Sequence, residues 1–313
     1  MKLNIQKFKK SYLVKGAILS TLLVFMTNCT SFRSQKTNIA FEENKEVYSR
    51  KNKLERTDYF KVTDAETRWV DSIYNNMSLD EKIGQLFMVS AYSNKGSLHK
   101  NEVEKLIQEN KIGGLIFFQG GPMRQAQLTN YFQSKAKVPL FIAIDAEWGL
   151  SMRLDSTYRY PWNMTLGAIQ DLKLIEKVGR VMGKENKRMG IQFNFAPVID
   201  INTNPNNPII GNRSFGESKI NVTNKAIALM SGEQKEGVFC TGKHFPGHGS
   251  VAPDSHHADA HDDRTFEAIY QQDMQPFMHN IGLLDALMPA HVVFRQVDDK
   301  PAGFSTKWVK GII

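Results

Sequence analysis

Pro139-Leu140-Phe141-Ile142-Ala143-Ile144-Asp145-Ala146-Glu147 joins an apolar run to two carboxylates, with no polar residue inside the run. A half-solvated strand alternates apolar and polar side chains, so a continuous run of this length signals a strand covered on both faces, as in a parallel sheet. Five further runs share the pattern: Leu86–Ala91, Gly114–Phe118, Gln192–Pro197, Val238–Thr241 and Ala286–Val293. Amphipathic stretches separate them. Thr63-Asp64-Ala65-Glu66 and Ser78-Leu79-Asp80-Glu81 fit the capping box, and each is followed by apolar residues at helical spacing: Trp69, Val70, Ile73 and Tyr74, then Ile83, Leu86 and Phe87. Phe266, Ile269, Tyr270, Met274 and Phe277 predict a helix before the last run. Strands alternating with crossover helices mean an α/β domain.

Ionisable residues follow the runs: Asp145 and Glu147 the third, Asp200 and Arg213 the fourth, Lys243 to His248 the fifth, with His291 closing the sixth. Functional groups gathered at strand carboxyl ends are the habit of a (β/α)8 barrel. A doubly wound sheet places them similarly, but no Gly-rich phosphate loop opens a helix after any run. The expected fold is therefore a TIM-type (β/α)8 barrel of which the chain supplies about six of eight β/α units. Trp308, Val309 and Ile312 predict a helix that the sequence leaves in mid-course, the expectation being that a longer protein completes it.

Five of the eight histidines (His244, His248, His256, His257 and His261) fall between Lys243 and His261. Two chemical readings compete with that of a solvated His-rich loop. His244 and His248 have the four-residue spacing of a helical zinc motif, but Phe245-Pro246-Gly247 between them breaks the helix that would align the imidazoles, leaving only a loop site. Alternatively, Asp254 accepts a bond from one nitrogen of His256, fixes its tautomer and favours its protonated form. An imidazole that starts near pKa 6.5 can then give and take a proton near neutrality.

The chain has 313 residues, 41% of them hydrophobic and 23% charged, which excludes a disordered polymer. Its formal charge of +8 is concentrated at the N-terminus, where Lys2, Lys7, Lys9, Lys10 and Lys15 meet no acid. Without them 35 basic residues face 32 acidic ones, which argues against nucleic acid as a partner. The apolar run Gly16–Met26 has the length of a signal-peptide core and is too short to span a bilayer. Met26-Thr27-Asn28-Cys29 after it resembles a bacterial lipoprotein signal, with Asn28 where a small residue is usual; a cleaved secretory signal is the alternative. The expected organisation is a signal peptide over 1–28, a polar tether over 29–56 carrying lipid on Cys29, and a catalytic barrel over 57–313. Lipid on Cys29 would leave Cys240 without an intrachain disulfide partner.

Lys243-His244-Phe245-Pro246-Gly247-His248-Gly249, followed by Asp254-Ser255-His256, closely resembles the signature of the β-N-acetylglucosaminidases of glycoside hydrolase family 3. Asp145-Ala146-Glu147-Trp148-Gly149, Asn194-Phe195-Ala196-Pro197-Val198-Ile199-Asp200, Asn207–Gly216, Met288-Pro289-Ala290-His291 and Pro301–Ser305 resemble other family segments in the same order, from about Met77 onward. The resemblance implies a (β/α)8 barrel that removes terminal β-linked N-acetylglucosamine with retention, without cofactor or metal. It implies His256 as general acid/base with Asp254 as its partner, and Asp145, Arg213, Lys243 and His244 as sugar-binding residues. Glu147 would support them, and His248 and His291 would be structural. The aspartate nucleophile would lie beyond Ile313, leaving a 313-residue fragment inactive and aggregation-prone. The chain departs from the family pattern at Trp148, where a glycine is usual, and at His257–His261, where a Leu-Pro exit is usual. The expected substrate is a peptidoglycan fragment or muropeptide, reached from the membrane surface of the cell envelope. A family 3 β-glucosidase, in which Asp254-Ser255-His256 is not expected, a non-catalytic glycan-binding lipoprotein and a loop zinc hydrolase are the competing functions.

Overall fold

A computed structural model describes residues 62–252 and 260–312. All of them belong to the compact unit Tyr48–Ile313. The signal peptide, the tether with Cys29, and the pair Asp254 and His256 lie outside the described residues.

Helices α1 (Asp64–Tyr74) and α2 (Leu79–Gly84) start at the two expected capping boxes, with Thr63 and Ser78 each accepting from the third backbone amide onward. Strand β1 (Met88–Ala91) leads to α3 (Ser97–Glu109), then β2 (Gly114–Phe117), α4 (Pro122–Lys135) and β3 (Phe141–Ile144). After α5 (Asn163–Gly167) comes α6 (Leu172–Arg188), then β4 (Phe193–Asn194), α7 (Lys219–Lys235) and β5 (Phe239–Phe245). The remaining elements are β6 (His261–Asp262), α8 (Phe266–Gln271), α9 (Gln275–Asn280), β7 (Ala286–Pro289), β8 (Val293–Phe294) and α10 (Thr306–Gly311).

Strands β1, β2, β3, β4, β5 and β7 form one curled sheet in that spatial order, every pair parallel, which is an incomplete TIM-type barrel. Each expected run supplies one of these strands. Leu115, Phe117, Ile142 and Ile144 are wholly buried, as strands covered on both faces require. One apolar cluster gathers these strands with residues of α3 and α4; another gathers α6, α7 and α9 around Ile199, Ile201, Phe245 and Trp308.

Three boundaries differ from expectation. The run Ala286–Val293 is not one strand: β7 ends at Pro289, which has no N–H to continue a ladder, and β8 pairs instead with β6 in a separate two-stranded sheet. The helix expected over Phe266–Phe277 is split into α8 and α9, with Pro276 in the first turn of the second, where its missing N–H costs nothing. The expected core face of α1 is exposed, Trp69 at 55% and Tyr74 at 55%, with none of its residues buried.

Strands and helices are aligned by punctuated ends. Asp171 caps α6 through the Lys173 amide, and Ser218 caps α7 through that of Asn221. Both helices stop just before a glycine in the left-handed region, Gly190 (φ 70°) and Gly237 (φ 83°), which turns the chain back into β4 and β5.

Candidate active site

Strand β5 runs further than its apolar composition indicates, and its last residues include Lys243 and His244. Val198, in the segment after β4, bridges to Lys243, so this polar end stays part of the sheet. The peptide bond between Lys243 and His244 is cis. Lys243 is almost wholly buried, yet its ammonium reaches two carboxylates: Nζ lies 2.9 Å from Asp145 Oδ1 and 2.7 Å from Glu147 Oε1. Both acids follow β3, the neighbour of β4. Arg213, delivered by the long segment between β4 and α7, grips Glu147 with two prongs, Nε to Oε2 at 2.9 Å and Nη2 to Oε1 at 2.8 Å. Arg153 holds the other side of Asp145 at 2.7 Å.

His244 is the next member. Its Nδ1 lies 2.7 Å from Asp200 Oδ2, and the same carboxylate accepts the backbone amides of His244 (3.1 Å) and His248 (2.7 Å). The network thus places the imidazole proton on Nδ1 and turns Nε2 toward Arg213 Nη2, 3.5 Å away. Burial keeps the His244 pKa below the ordinary histidine value, although Asp200 pulls it up; Lys243 and Arg213 add to the lowering. His244 is therefore neutral at physiological pH.

The loop that carries Arg213 is pinned from several sides. Asn207 Oδ1 accepts the amides of Ile209 and Ile210 at 2.8 Å each, while its amide donates to the His248 carbonyl at 2.7 Å. Asn163 donates to the Arg213 carbonyl at 2.8 Å, and Ser214 Oγ donates to the Asp200 carbonyl at 2.6 Å. These bonds turn an irregular segment into a fixed support for the guanidinium.

Exposure divides the cluster into two layers. The side chains of Glu147 and Asp200 are 0% exposed, whereas Asp145, His244 and Arg213 retain 13%, 16% and 21%. Of the hidden carboxylates, Glu147 holds Lys243 and Arg213 while Asp200 orients the neutral His244, and the outer groups can meet a ligand. For Asp145, burial alone would raise the pKa, but Lys243 and Arg153 more than offset it and keep the group ionised. Glu147 too is held ionised, well below the usual carboxylate range, by Lys243 and Arg213 against its own burial penalty. Three carboxylates (Asp145, Glu147, Asp200) meet three permanent cations (Lys243, Arg213, Arg153). The cluster is thus electrically balanced and suits an uncharged ligand rich in hydroxyls. Two N–H bonds of Lys243 are committed, and four of the five of Arg213, so each keeps one donor for such a ligand.

The four residues expected to bind sugar, Asp145, Arg213, Lys243 and His244, come together in this one cluster. Glu147 lies beneath them. Asp254 and His256 are outside the described residues. His248 is buried beside Asp200, while His291 is exposed and its ring faces Phe304. Sequence reading noticed Asp200 without assigning it a partner, and it missed Arg153 altogether. A signal for Arg153 exists only in its position eight residues after Asp145, which is weak.

The profile of the Glycosyl hydrolase family 3 N terminal domain matches residues 78–313. A protein named beta-hexosaminidase from Idiomarina loihiensis is 36% identical over 222 residues, covering 68% of this chain and 66% of that protein. The chain spans just under two thirds of the length of the curated relatives it matches. The crystal structure of NagZ from Neisseria gonorrhoeae in complex with N-trifluoroacetyl-D-glucosamine superposes with a TM-score of 0.65 at 35% identity, covering 72% of this chain and 69% of that one. A glycoside hydrolase family 3 β-N-acetylglucosaminidase from a Paenibacillus species gives a TM-score of 0.70 at 37% identity, covering 75% of this chain and 46% of that one.

Proposed function

The chain belongs to glycosyl hydrolase family 3, and we propose that it is part of an exo-acting, retaining β-N-acetylglucosaminidase. The observation that carries this reading is the balanced cluster at the ends of β3 and β5, in which Lys243 is held by Asp145 and Glu147 while Arg213 and His244 stand at its edge. Asp145 accepts from two vicinal hydroxyls of the terminal sugar, and Lys243 and Arg213 donate to its oxygens. Bonds that tighten as the ring flattens toward an oxocarbenium ion lower the barrier, since only interactions stronger in the transition state accelerate the reaction.

His256, braced by Asp254, gives its proton to the departing glycosidic oxygen while a carboxylate attacks the anomeric carbon and the carbon–oxygen bond breaks. The imidazole, now neutral, takes a proton from water, whose oxygen displaces the carboxylate and restores the original configuration. Asp145, Glu147 and Asp200 are each engaged by cations or by His244, so the attacking carboxylate is assigned outside the described residues. The natural substrate in this reading is a peptidoglycan fragment ending in N-acetylglucosamine. The protein meets it at the cell envelope, anchored by lipid on Cys29; Cys29→Ala is expected to move it from membrane to soluble fractions, and unchanged fractionation would refute the anchor.

The activity is tested with the full-length protein on p-nitrophenyl N-acetylglucosaminide, on the matching glucoside, and on an N-acetylglucosamine-terminated disaccharide. Turnover of the N-acetylglucosaminide in preference to the glucoside is expected, and the reverse preference would indicate a β-glucosidase. His256→Ala is expected to lose about 100-fold or more on the disaccharide, whose leaving group needs protonation, and less on the activated phenol. Undiminished disaccharide turnover in that variant would remove His256 from the mechanism.

A further inference from the structure

Glu233 has no part in the sugar cluster, yet bonds connect it to Lys243. It sits near the end of α7, wholly buried. Its Oε2 accepts from Asn194 Nδ2 of β4 at 2.8 Å and from Asn186 Nδ2 of α6 at 3.2 Å. The opposite end of the Asn194 amide, Oδ1, accepts the backbone N–H of Ala146 at 3.0 Å. Ala146 stands between Asp145 and Glu147, the two residues that hold Lys243. The path thus runs from the back of a helix, through one strand side chain, to the turn that presents both site carboxylates.

We propose that Glu233 is a positioning residue for the Asp145–Glu147 turn, acting through the side-chain amide of Asn194. An asparagine amide has two ends of similar shape and opposite hydrogen-bonding sense. Were Asn194 reversed, Nδ2 would meet the Ala146 N–H donor to donor, and the turn would lose its anchor. Glu233 Oε2 is an acceptor in either protonation state. It therefore draws Nδ2 to itself and directs Oδ1 at Ala146. Nδ2 also donates to the Ala146 carbonyl, at a longer 3.4 Å, so a leucine of similar size would leave Asn194 with that long bond alone to hold its Nδ2 end, and the Asn186 donor unpaired.

The charge state of Glu233 gives this linkage a pH limit. Both amide donors converge on Oε2, while Oε1 and Asn186 Oδ1 have no hydrogen-bond partner among the described residues, so Oε1 is the position for a proton. No described charged group touches the carboxyl. Across the α6–α7 contact, Glu176 pairs with Lys235 and Arg180 with Glu236. Glu185 receives the Tyr160 hydroxyl. Beyond β5, Asp285 takes Gln234 and the Cys240 amide, and His279 of α9 bonds within its own helix. On the β3 side, Asp145 and Glu147 are engaged by Lys243, Arg153 and Arg213. Burial without a cation pushes the Glu233 pKa up to about 8, the two amides opposing only in part. Above that pH an uncompensated anion must be hydrated, and the packing that fixes Asn194 loosens.

The test is hydrogen–deuterium exchange of peptides covering 142–150, from pH 6 to 9.5 and corrected for intrinsic base catalysis, in the wild-type full-length chain, Glu233→Gln and Glu233→Leu. The wild type is expected to lose about tenfold protection in this turn above pH 8, the equivalent of one buried hydrogen bond. Glu233→Gln, which keeps the acceptor and cannot ionise, should retain protection throughout. Glu233→Leu should lose it at every pH while α3, remote from the linkage, stays protected. Wild-type protection in Glu233→Leu, or a pH-dependent loss in Glu233→Gln equal to that of the wild type, would overturn the proposal; should Glu233→Leu fail to fold, the Glu233→Gln profile decides alone. The consequence for sugar rests on the proposed function: N-acetylglucosamine affinity should fall with turn protection. Exchange that behaves as expected while affinity does not respond would uphold the linkage and refute the sugar-site reading.

Discussion

Two glutamates, Glu147 and Glu233, are equally hidden from solvent and titrate in opposite directions. Their partners make the difference. Lys243 and Arg213 hold Glu147 ionised against its burial penalty, whereas two neutral amides cannot do so for Glu233. The consequence for stability has a definite sign. In the unfolded chain Glu233 loses its proton near the ordinary glutamate value of 4.5, and in the folded protein near 8. Between these values the unfolded state holds fewer protons, so stability falls as pH rises and levels off above the folded value. Between pH 5 and pH 8 the contribution is roughly 4 kcal/mol. Chemical denaturation of Glu233→Gln should show a shallower decline than wild type by about that amount, and parallel curves would contradict the neutral buried carboxyl. Neither glutamate's environment is legible in the sequence. Glu147 follows an apolar run and can be guessed as support for the site, but Glu233 stands in Ser231-Gly232-Glu233-Gln234-Lys235, which reads as an ordinary solvated helix end. Asp145, Arg213, Lys243 and His244 were recognisable because glycine, proline and charge recur around them in a family order. Arg153 and Asn194 carry no such marker, and what they touch depends on distant chain segments.

The elements themselves were more legible than their ends. Apolar runs identify the strands of the large sheet because burial on both faces leaves a compositional mark; strand ends depend on proline and on neighbouring strands, which a single run does not reveal. Polar residues at the end of β5 conceal its extension, since Lys243 is buried only because two carboxylates await it. The crossing of α6 and α7 was equally hidden. A Cβ on Gly179 would lie 2.0 Å from the Leu229 carbonyl oxygen, and one on Gly232 would lie 2.1 Å from that of Glu176. The glycines let the helix backbones approach closely enough for Asn186 to reach Glu233. Gly179→Ala should therefore cost about 1–3 kcal/mol or more by overpacking, measured by chemical denaturation. Gly96→Ser at the start of α3, where an added Cβ meets nothing within 4 Å, should be neutral or slightly stabilising. Equal effects from the two substitutions would deny the close crossing.

Across the whole molecule, the parallel order of the sheet brings together residues far apart in the chain. Residues after β3, the segment following β4 and the end of β5 converge on one balanced cluster, and the helices behind them fix its geometry. An α/β barrel was legible from the alternation of runs and helices, but the separate β6–β8 pair was not, because two-residue strands leave no periodicity. Nor could sequence alone identify the open apolar face of α1, since helical spacing marks a face without saying what covers it. The central claim is that the Asp145–Lys243–Arg213 cluster grips the amino-sugar. Calorimetric titration of N-acetylglucosamine into the full-length protein and into Asp145→Ala tests it most directly. Binding by the wild type and a loss of about 100-fold in the variant are expected, the scale of two charge-assisted hydrogen bonds. Equal affinity in the two, with the variant folded, would contradict it.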